Sequence, residues 1–215
     1  GAKVLIKPSM HVVPQAGMVA TSSPALIRRV VEHCAEIRAS RVTVLDRTLD
    51  DWMQAYDQTG VERAAKDGGA KVLQANNENF YKPWPGMNGV WKLHEAYLEA
   101  DVVINVAMAH HDRAGVYSGC IRNLSGVVWQ RPQMGADYEL LARLFKFKKP
   151  TLNVVECGQE SAPLFVSADV LAIENRVQNF LNLTDGVSDE VFDMFEKQSL
   201  GTRHYRTLRY QKIES

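Results

Sequence analysis

The chain has 215 residues, of which 25 are basic and 25 are acidic, so its formal net charge is zero. Balanced charge gives no overall attraction to nucleic acid or to an anionic membrane, and we expect no nucleic-acid partner. Hydrophobic residues make up 46% of the sequence, which is typical of a globular protein. No apolar run reaches the roughly 20 residues of a membrane-spanning helix, so we expect a soluble protein without a membrane span.

The first part of the chain alternates between short apolar runs and amphipathic stretches. Residues 4–6 predict a buried strand. Ser23 and Pro24 form a favourable helix start, because serine caps helices and proline suits the first helical position. The apolar residues that follow recur at helical spacing: Ile27, Val30, Val31, Cys34 and Ile37. Residues 41–45 predict the next strand.

The rest of the chain continues this alternation. Further helices are predicted over 52–56, 61–66, 93–99, 138–146, 168–181 and 188–198, and further strands over 70–74, 101–107, 151–155 and 208–213. The segment Asn76–Gly89 is predicted to be a long loop and a candidate lid. Alternating strands and helices predict an α/β fold with a mostly parallel, doubly wound sheet flanked by helices. No repeat or linker divides the chain, so we expect one domain over residues 1–215.

Standard cofactor motifs are absent from the sequence. The three cysteines lie far apart without a C-x-x-C pair, so we predict neither a zinc ribbon nor an iron–sulfur cluster. No glycine-rich phosphate loop is present, so no nucleotide cofactor is predicted. Cys34 is expected to be a core residue, and Cys157 to be structural rather than reactive.

Polar residues gather directly after the predicted strands. In open α/β sheets ligands bind beyond the carboxyl ends of the strands, so these residues mark a candidate site. They are Lys7, Ser9 and His11 after the first strand, Asp46, Arg47 and Thr48 after the second, His110, His111 and Asp112, then Arg122 and Asn123, after the fourth, and Glu156 and Cys157 after the fifth.

The densest of these groups is His110, His111 and Asp112. Two imidazoles and a carboxylate can bind a transition metal, or supply a general acid and base near neutral pH. Adjacent histidines on an extended backbone point in opposite directions, so one metal would rarely take both. We keep His11, His110 and His111 as candidate ligands of a divalent metal ion, with a contact between His11 and His111 expected. The alternative is a solvated loop with one histidine bonded to the backbone.

Lys7 and Asp46 each have a functional and a structural interpretation. A lysine at a strand end can clamp a carboxylate or a phosphate, or it can be an ordinary surface residue. An aspartate at the exit of a buried strand can orient a hydroxyl or a metal, or it can cap the following turn.

Several short motifs, taken in order, resemble the domain-of-unknown-function 362 family. The segment Lys7–Met10 resembles the family's K-P-N opening, and Asp101–Val106 resembles its D-v-v-I-N-v strand. Ile121–Gly126 is similar to its K-N-x-x-G segment, and Ser167–Ala172 to its late S-x-D-x-v-A motif. The resemblance covers nearly the whole chain and supports both the fold and a site at the edge of the sheet.

The chain departs from the family pattern at charged positions. Where the family has P-K-L-K-T-H, this chain has Ala-Met-Ala-His-His, which matches the final histidine at His111 and loses both lysines. Arg122 replaces a lysine, and Ser9 replaces an asparagine. Family members often carry a ferredoxin-like cysteine module or an export signal, and neither is present in these 215 residues.

Three functions follow from these residues. The first is the binding of a small polar or anionic ligand at the edge of the sheet, together with acid–base catalysis on that ligand if the protein is an enzyme. The second is a metal- or redox-linked accessory protein with an electron-transfer partner. The third is a degenerate, non-catalytic binding module, because the family lysines are lost. The catalytic candidates are His111, Asp46 and Glu156, and the ligand-binding candidates are Lys7, Ser9, Arg122 and Asn123.

The first residue is expected to be a remnant of tag removal. The expected compartment therefore stays open between the cytoplasm and export with the signal removed.

Overall fold

A six-stranded, mostly parallel sheet forms the centre of the computed structural model, which describes residues 1–11, 20–112, 114–134, 137–158 and 162–204. The strands, in chain order, are β1 (Lys3–Lys7), β2 (Arg41–Val44), β3 (Lys71–Val72), β4 (Tyr81–Pro83), β5 (Lys92–His94), β6 (Val102–Met108), β7 (His110–His111), β8 (Tyr117–Ser118), β9 (Leu152–Glu156) and β10 (Phe165–Ser167).

Helices occupy the connections between the strands. In chain order they are α1 (Pro24–Glu36), α2 (Trp52–Gln58), α3 (Val61–Asp67), α4 (Glu95–Glu99), α5 (Cys120–Asn123), α6 (Arg131–Met134), α7 (Tyr138–Phe147), α8 (Val170–Leu181) and α9 (Asp189–Lys197), with 3-10 helices at Glu78–Phe80 and Leu124–Val127. Among the described residues, no helix combines the length and the apolar character needed to cross a membrane.

The central sheet has the strand order β10-β9-β6-β1-β2-β3. All neighbouring pairs are parallel except β10, which runs antiparallel to β9. From β1 the chain proceeds outward through β2 to β3, and from β6 it proceeds outward on the other side through β9 to β10. The strand order therefore reverses between β1 and β6, which is the switch point of a doubly wound sheet.

Apolar residues of β1 alternate between the two faces of the sheet. Val4 and Ile6 pack in a core with Ile27 and Val31 of α1, whereas Leu5 belongs to the core on the other face. Burial on both faces is the usual condition of a parallel sheet. Helix α1 begins as predicted, since the Ser23 side chain accepts a hydrogen bond from the N–H of Leu26 at 3.5 Å. The predicted α/β class and the mostly parallel sheet are confirmed.

Two elements differ from the sequence prediction in the middle of the chain. The segment 76–89 is not one long loop, because it contains a 3-10 helix and strand β4, which pairs with β5. Its side chains Tyr81 and Trp84 are buried, which anchors the proposed lid to the core. The predicted helix over 93–99 begins only at Glu95, because Leu93 and His94 belong to β5. The predicted edge strand over 208–213 lies outside the described residues.

Candidate functional site

The switch point between β1 and β6 brings several predicted site residues to one edge of the sheet. Lys7 ends β1, Asp46 follows β2, and Glu156 ends β9. The connection after β1 leads away to one side and the chain after β6 to the other, so a crevice is expected between them.

Lys7 is fully buried beneath this edge. Its Nζ donates hydrogen bonds to the carbonyl of Pro8 and to Oδ1 of Asn123, both at 2.6 Å, and lies 3.0 Å from Oδ1 of Asp46. The pKa of Lys7 is lowered to about 7, mainly by burial and also by the charge of Arg131, against the opposing effect of Asp46. The interpretation of Lys7 as an ordinary surface lysine is therefore wrong.

Asp46 is also fully buried and is surrounded by donors. Besides Lys7, the guanidinium of Arg131 donates to Oδ1 at 2.9 Å, and the N–H of Met10 donates to Oδ2 at 3.1 Å. The hydroxyl of Tyr56 donates to the Asp46 carbonyl at 3.0 Å. This carboxylate joins the chain after β1, the chain after β2 and helix α6.

Asn123 completes the cage around Lys7 and connects it to a row of buried asparagines. Its Nδ2 donates to Oδ1 of Asn105 at 2.8 Å, and Nδ2 of Asn105 donates to Oδ1 of Asn153 at 3.1 Å. Lys7, Asn105 and Asn153 are direct neighbours in the register of β1, β6 and β9. A polar row thus crosses the centre of the sheet, and it was not predicted from the sequence.

Gly126 covers the Lys7–Asp46 pair. A Cβ at this position would overlap Oδ1 of Asp46 and Cε of Lys7, so only glycine allows the backbone to approach this closely. The Gly126 carbonyl accepts a hydrogen bond from the N–H of Arg47 at 2.8 Å. The I-R-N-L-S-G segment noted in the sequence therefore supplies two parts of the cage, an asparagine and a covering glycine.

His11 and His110 meet above this buried layer. Their ring centroids lie 5.1 Å apart, and Nδ1 of His11 is 3.3 Å from a carboxylate oxygen of Asp50. Nδ1 of His110 lies 2.8 Å from the carbonyl of Met108. The pKa of His110 is lowered to about 4, mainly by burial and to a smaller extent by the nearby charges of His11 and Arg131. The expected contact of His11 with His111 is wrong, because the alternation of β7 turns His110 towards His11.

His111 lies away from this pair. Its Nε2 is 3.1 Å from Oδ2 of Asp185, and its ring contacts Tyr117. Among the residues that the structure describes, no group of three or more histidine, cysteine, aspartate or glutamate side chains is placed to hold a metal ion. The metal assignment for His11, His110 and His111 therefore stays a prediction.

Arg122 holds the β7–β8 hairpin. Its guanidinium donates to Oδ2 of Asp112 at 2.8 Å and to the carbonyls of Val116 and Tyr117 at 3.1 and 3.0 Å. These bonds hold Arg122, on α5, against the preceding hairpin, so an anion would have to compete with Asp112.

Glu156 and Ser9 hold the start of helix α1. Oε2 of Glu156 accepts a hydrogen bond from the N–H of Ser23 at 2.7 Å, and burial raises the pKa of this carboxyl. The Ser9 hydroxyl donates to the carbonyl of Ala20 at 2.9 Å, and the Ser9 N–H donates to the Ser22 hydroxyl. Both predicted residues lie at the edge of the sheet and are occupied with backbone groups.

Glu174 on α8 is a buried acid that the sequence analysis missed. Its Oε2 accepts a hydrogen bond from the N–H of Ile121 at 3.1 Å, while Oε1 lies beside the hydroxyl of Tyr117 where Gly119 has no side chain. Burial raises the pKa of Glu174 to about 7. Its position in an amphipathic helix gave no signal, because a glutamate there is usually exposed.

A shallow groove of about 340 Å³ lies between α2 and α3, and Tyr56, which bonds to the Asp46 backbone, also lines it. It is lined by Tyr56, Asp57, Glu62, Arg63, Lys66 and Asp67. Its charged side chains are of both signs, and Glu62 and Lys66 pair with each other. None of the predicted site residues lines it, so we do not assign the site there.

Comparison with known proteins supports the family resemblance. The sequence model of a family described as "Domain of unknown function (DUF362)" matches residues 4–160. A search of curated proteins finds no match. The matched region contains the buried Lys7–Asp46 pair, the asparagine row and the two facing histidines.

Proposed function

The chain belongs to the family described as a domain of unknown function (DUF362), and we propose that it binds a small polar or anionic ligand in the crevice beyond β1 and β6. The observation that carries this proposal is the 5.1 Å contact between His11 and His110. One histidine follows β1 and the other follows β6, so the two diverging connections meet over the switch point. Doubly wound sheets bind their ligands at this place.

The two imidazoles supply polar groups suited to such a ligand. A pKa of about 4 leaves His110 neutral at physiological pH. A carbonyl only accepts hydrogen bonds, so Nδ1 of His110 donates to Met108, and its Nε2 is then an acceptor. Asp50 holds His11 by its Nδ1. The pair therefore offers at least one acceptor to a hydroxyl or amide group.

The layer beneath the histidines favours an anionic group on the ligand. Asp46 pairs with two cationic side chains, Lys7 and Arg131. One carboxylate between two cationic groups leaves this buried layer with excess positive charge whenever Lys7 is protonated. A buried positive layer attracts a carboxylate or a phosphate more strongly than the same charges would in water.

The contacts favour binding over acid–base catalysis. The three catalytic candidates have different partners: Asp46 is held by Lys7 and Arg131, Glu156 by Ser23, and His111 by Asp185. A general acid and base must reach the same reacting atoms, and these contacts point to separate places. Catalysis by this trio stays a prediction, as do the metal and electron-transfer roles.

A thermal-shift screen tests the proposal. Wild-type protein is heated with a panel of small carboxylates, inorganic phosphate, polyols and amides, alongside His110→Ala and, as a control, the exposed His33→Ala. A ligand at about 100 times its Kd adds about 2.7 kcal/mol of stability, which raises Tm by about 5–10 °C in a chain of this length. We expect at least one panel member to stabilise wild type and His33→Ala but not His110→Ala. Equal stabilisation of all three proteins, or none by any compound, would overturn the proposal.

A further inference from the structure

Two arginines at the carboxyl end of β2 have buried hydrogen-bond donors that lack a partner. Among the described residues, neither Nε of Arg47 nor Nε of Arg131 donates to any acceptor. The Arg131 side chain is 7% exposed, so water does not readily replace the missing partner. An unpaired charged donor in the protein interior is unfavourable, and it calls for an acceptor that binds from outside the chain.

The two guanidinium groups belong to one small region. Arg131 donates from NH1 to Oδ1 of Asp46 and to the backbone carbonyl of Arg47, which places its head group against the Arg47 backbone. The Arg47 guanidinium lies 4.5 Å above the centre of the Trp129 ring. Trp129 in turn contacts Tyr81, with ring centroids 5.2 Å apart. Aromatic stacking on one face leaves the edge of the Arg47 guanidinium for an acceptor.

The charges in this region do not balance. Lys7, Arg47 and Arg131 are three basic side chains, and Asp46 pairs with only two of them. Within the part of the chain that the structure describes, Arg47 forms no ion pair, and its NH1 has a single long bond of 3.4 Å to the carbonyl of Thr48. The excess charge is therefore positive, and it is concentrated on a guanidinium whose Nε is free.

We propose that Arg47 and Arg131 form a seat for the anionic group, carboxylate or phosphate, of the ligand. This inference rests on the proposed function and names the class of ligand. Guanidinium groups bind both oxyanions through paired N–H donors, so the two anions share the chemistry that recognises them. The specificity for an anion then depends on the geometry of the two guanidinium groups. It does not depend on the net charge of the protein, which is zero.

The seat adjoins the histidine crevice. Met10 directly precedes His11, and its N–H donates to Oδ2 of Asp46 at 3.1 Å, while Arg131 donates to Oδ1 of the same carboxylate at 2.9 Å. A single small ligand would thus place its anionic end on the two arginines and its polar end on His11 and His110. The common element is Asp46, which contacts both the seat and the chain that carries His11.

The test uses inorganic phosphate and acetate as probes at low ionic strength. Binding is followed through the indole N–H signal of Trp129 in ¹⁵N-labelled protein, with Trp129→Phe used to identify the signal. The variants are Arg47→Gln, which removes the charge and the guanidinium with its Nε donor, and Arg47→Lys, which keeps the charge but loses the planar donor pair. Arg28→Gln is the matched control, because Arg28 is an exposed arginine on α1 that pairs with Glu32. Arg131 is left unchanged because its loss would also free Asp46.

We expect a saturable shift with at least one anion in wild type and in Arg28→Gln. The apparent Kd should rise roughly tenfold or more in Arg47→Gln, and by a smaller factor in Arg47→Lys. The anion that binds more tightly identifies the chemical source of the ligand's charge. Far-ultraviolet circular dichroism and Tm show whether each variant is folded. If Arg47→Gln does not fold, the comparison of Arg47→Lys with wild type provides the test.

Two results would overturn the inference. The first is the absence of a saturable shift with either anion. The second is an apparent Kd that neither Arg47→Gln nor Arg47→Lys changes, because such binding would be that of an adventitious ion only. Stabilisation by a neutral polyol or amide that requires His110 would still support the proposed function. The two failures are therefore distinguishable.

Discussion

The Nζ of Lys7 lies 3.0 Å from Oδ1 of Asp46, and neither side chain is exposed to solvent. One residue ends β1 and the other follows the neighbouring β2, so the pair joins two parallel strands at the edge where we propose the ligand crevice. Gly126 packs directly on it, which excludes water. Because the pair is buried, removal of one partner leaves the other charge uncompensated and affects stability far more than the removal of an exposed charge.

Substitution of Asp46 should strongly destabilise the protein. Asp46→Ala leaves Lys7 and Arg131 buried without their carboxylate, and we expect the free energy of unfolding to fall by about 3–5 kcal/mol. Urea denaturation followed by circular dichroism measures this change. The exposed Asp57→Ala on α2 is the control and should change stability by less than about 0.5 kcal/mol. Similar small losses in both variants would show that the buried pair is not stabilising the edge.

The stability of the protein should fall when one hydrogen-bond donor in the asparagine row is replaced by an acceptor. Asn105→Asp has nearly the same shape, but it replaces the Nδ2 donor to Cys120 and Asn153 with an oxygen. We expect a loss on the order of 3 kcal/mol at pH 8, because a buried carboxylate would then face two acceptors. The loss should shrink at pH 5, where a buried carboxyl of raised pKa is protonated and can donate again.

Urea denaturation at both pH values measures this effect. Asn179→Asp, at an exposed position on α8, is the matched control and should change stability by less than about 0.5 kcal/mol at either pH. If Asn105→Asp is as stable as that control at pH 8, then the row does not hold the centre of the sheet together.

Glu174 should make the stability of the protein depend on pH. Its pKa is raised from 4.5 to about 7 by burial, so between these values the folded chain holds a proton that the unfolded chain has released. The free energy of unfolding must then fall as the pH rises through this range, and the loss is complete above pH 7. Glu174→Gln cannot ionise and should be more stable than wild type by about 3 kcal/mol at pH 8, with nearly equal stability at pH 4.5.

The difference between wild type and Glu174→Gln isolates this group from others that titrate in the same range. His110 acts in the opposite direction, because its lowered pKa of about 4 makes stability rise between pH 4 and 6.5. Glu139→Gln, an exposed substitution on α7, provides the baseline. A stability difference for Glu174→Gln that stays constant from pH 4.5 to 8 would contradict the assignment of a protonated Glu174.

The fold was predictable because its signals are local. Helix α1 has a capping serine, a proline and an apolar stripe, and β1 and β6 are apolar runs with clear limits. The position of Lys7 and Asp46 at one edge also followed, since parallel strands all end on the same side. The prediction of one long loop over 76–89 was wrong because proline and glycine there mark a short hairpin, β4–β5.

The contacts within the site were less predictable because they depend on register and on distant parts of the chain. Arg131 is 85 residues from Asp46, and no local pattern connects them. Asn105 and Asn153 meet only because β6 and β9 pair in one register. For the histidines, the alternation of an extended backbone was foreseen, but which of His110 and His111 faces inward depends on the pairing of β7 with β8.

The central claim is that the crevice beyond β1 and β6 binds a small polar or anionic ligand. Its most direct test is a map of backbone amide shifts in ¹⁵N-labelled protein titrated with the compound that most raises Tm. We predict that the largest saturable shifts fall at residues 9–11, 46–48 and 108–111. Shifts that cluster instead along the α2–α3 groove, at Glu62 and Lys66, would place the ligand elsewhere and contradict the claim.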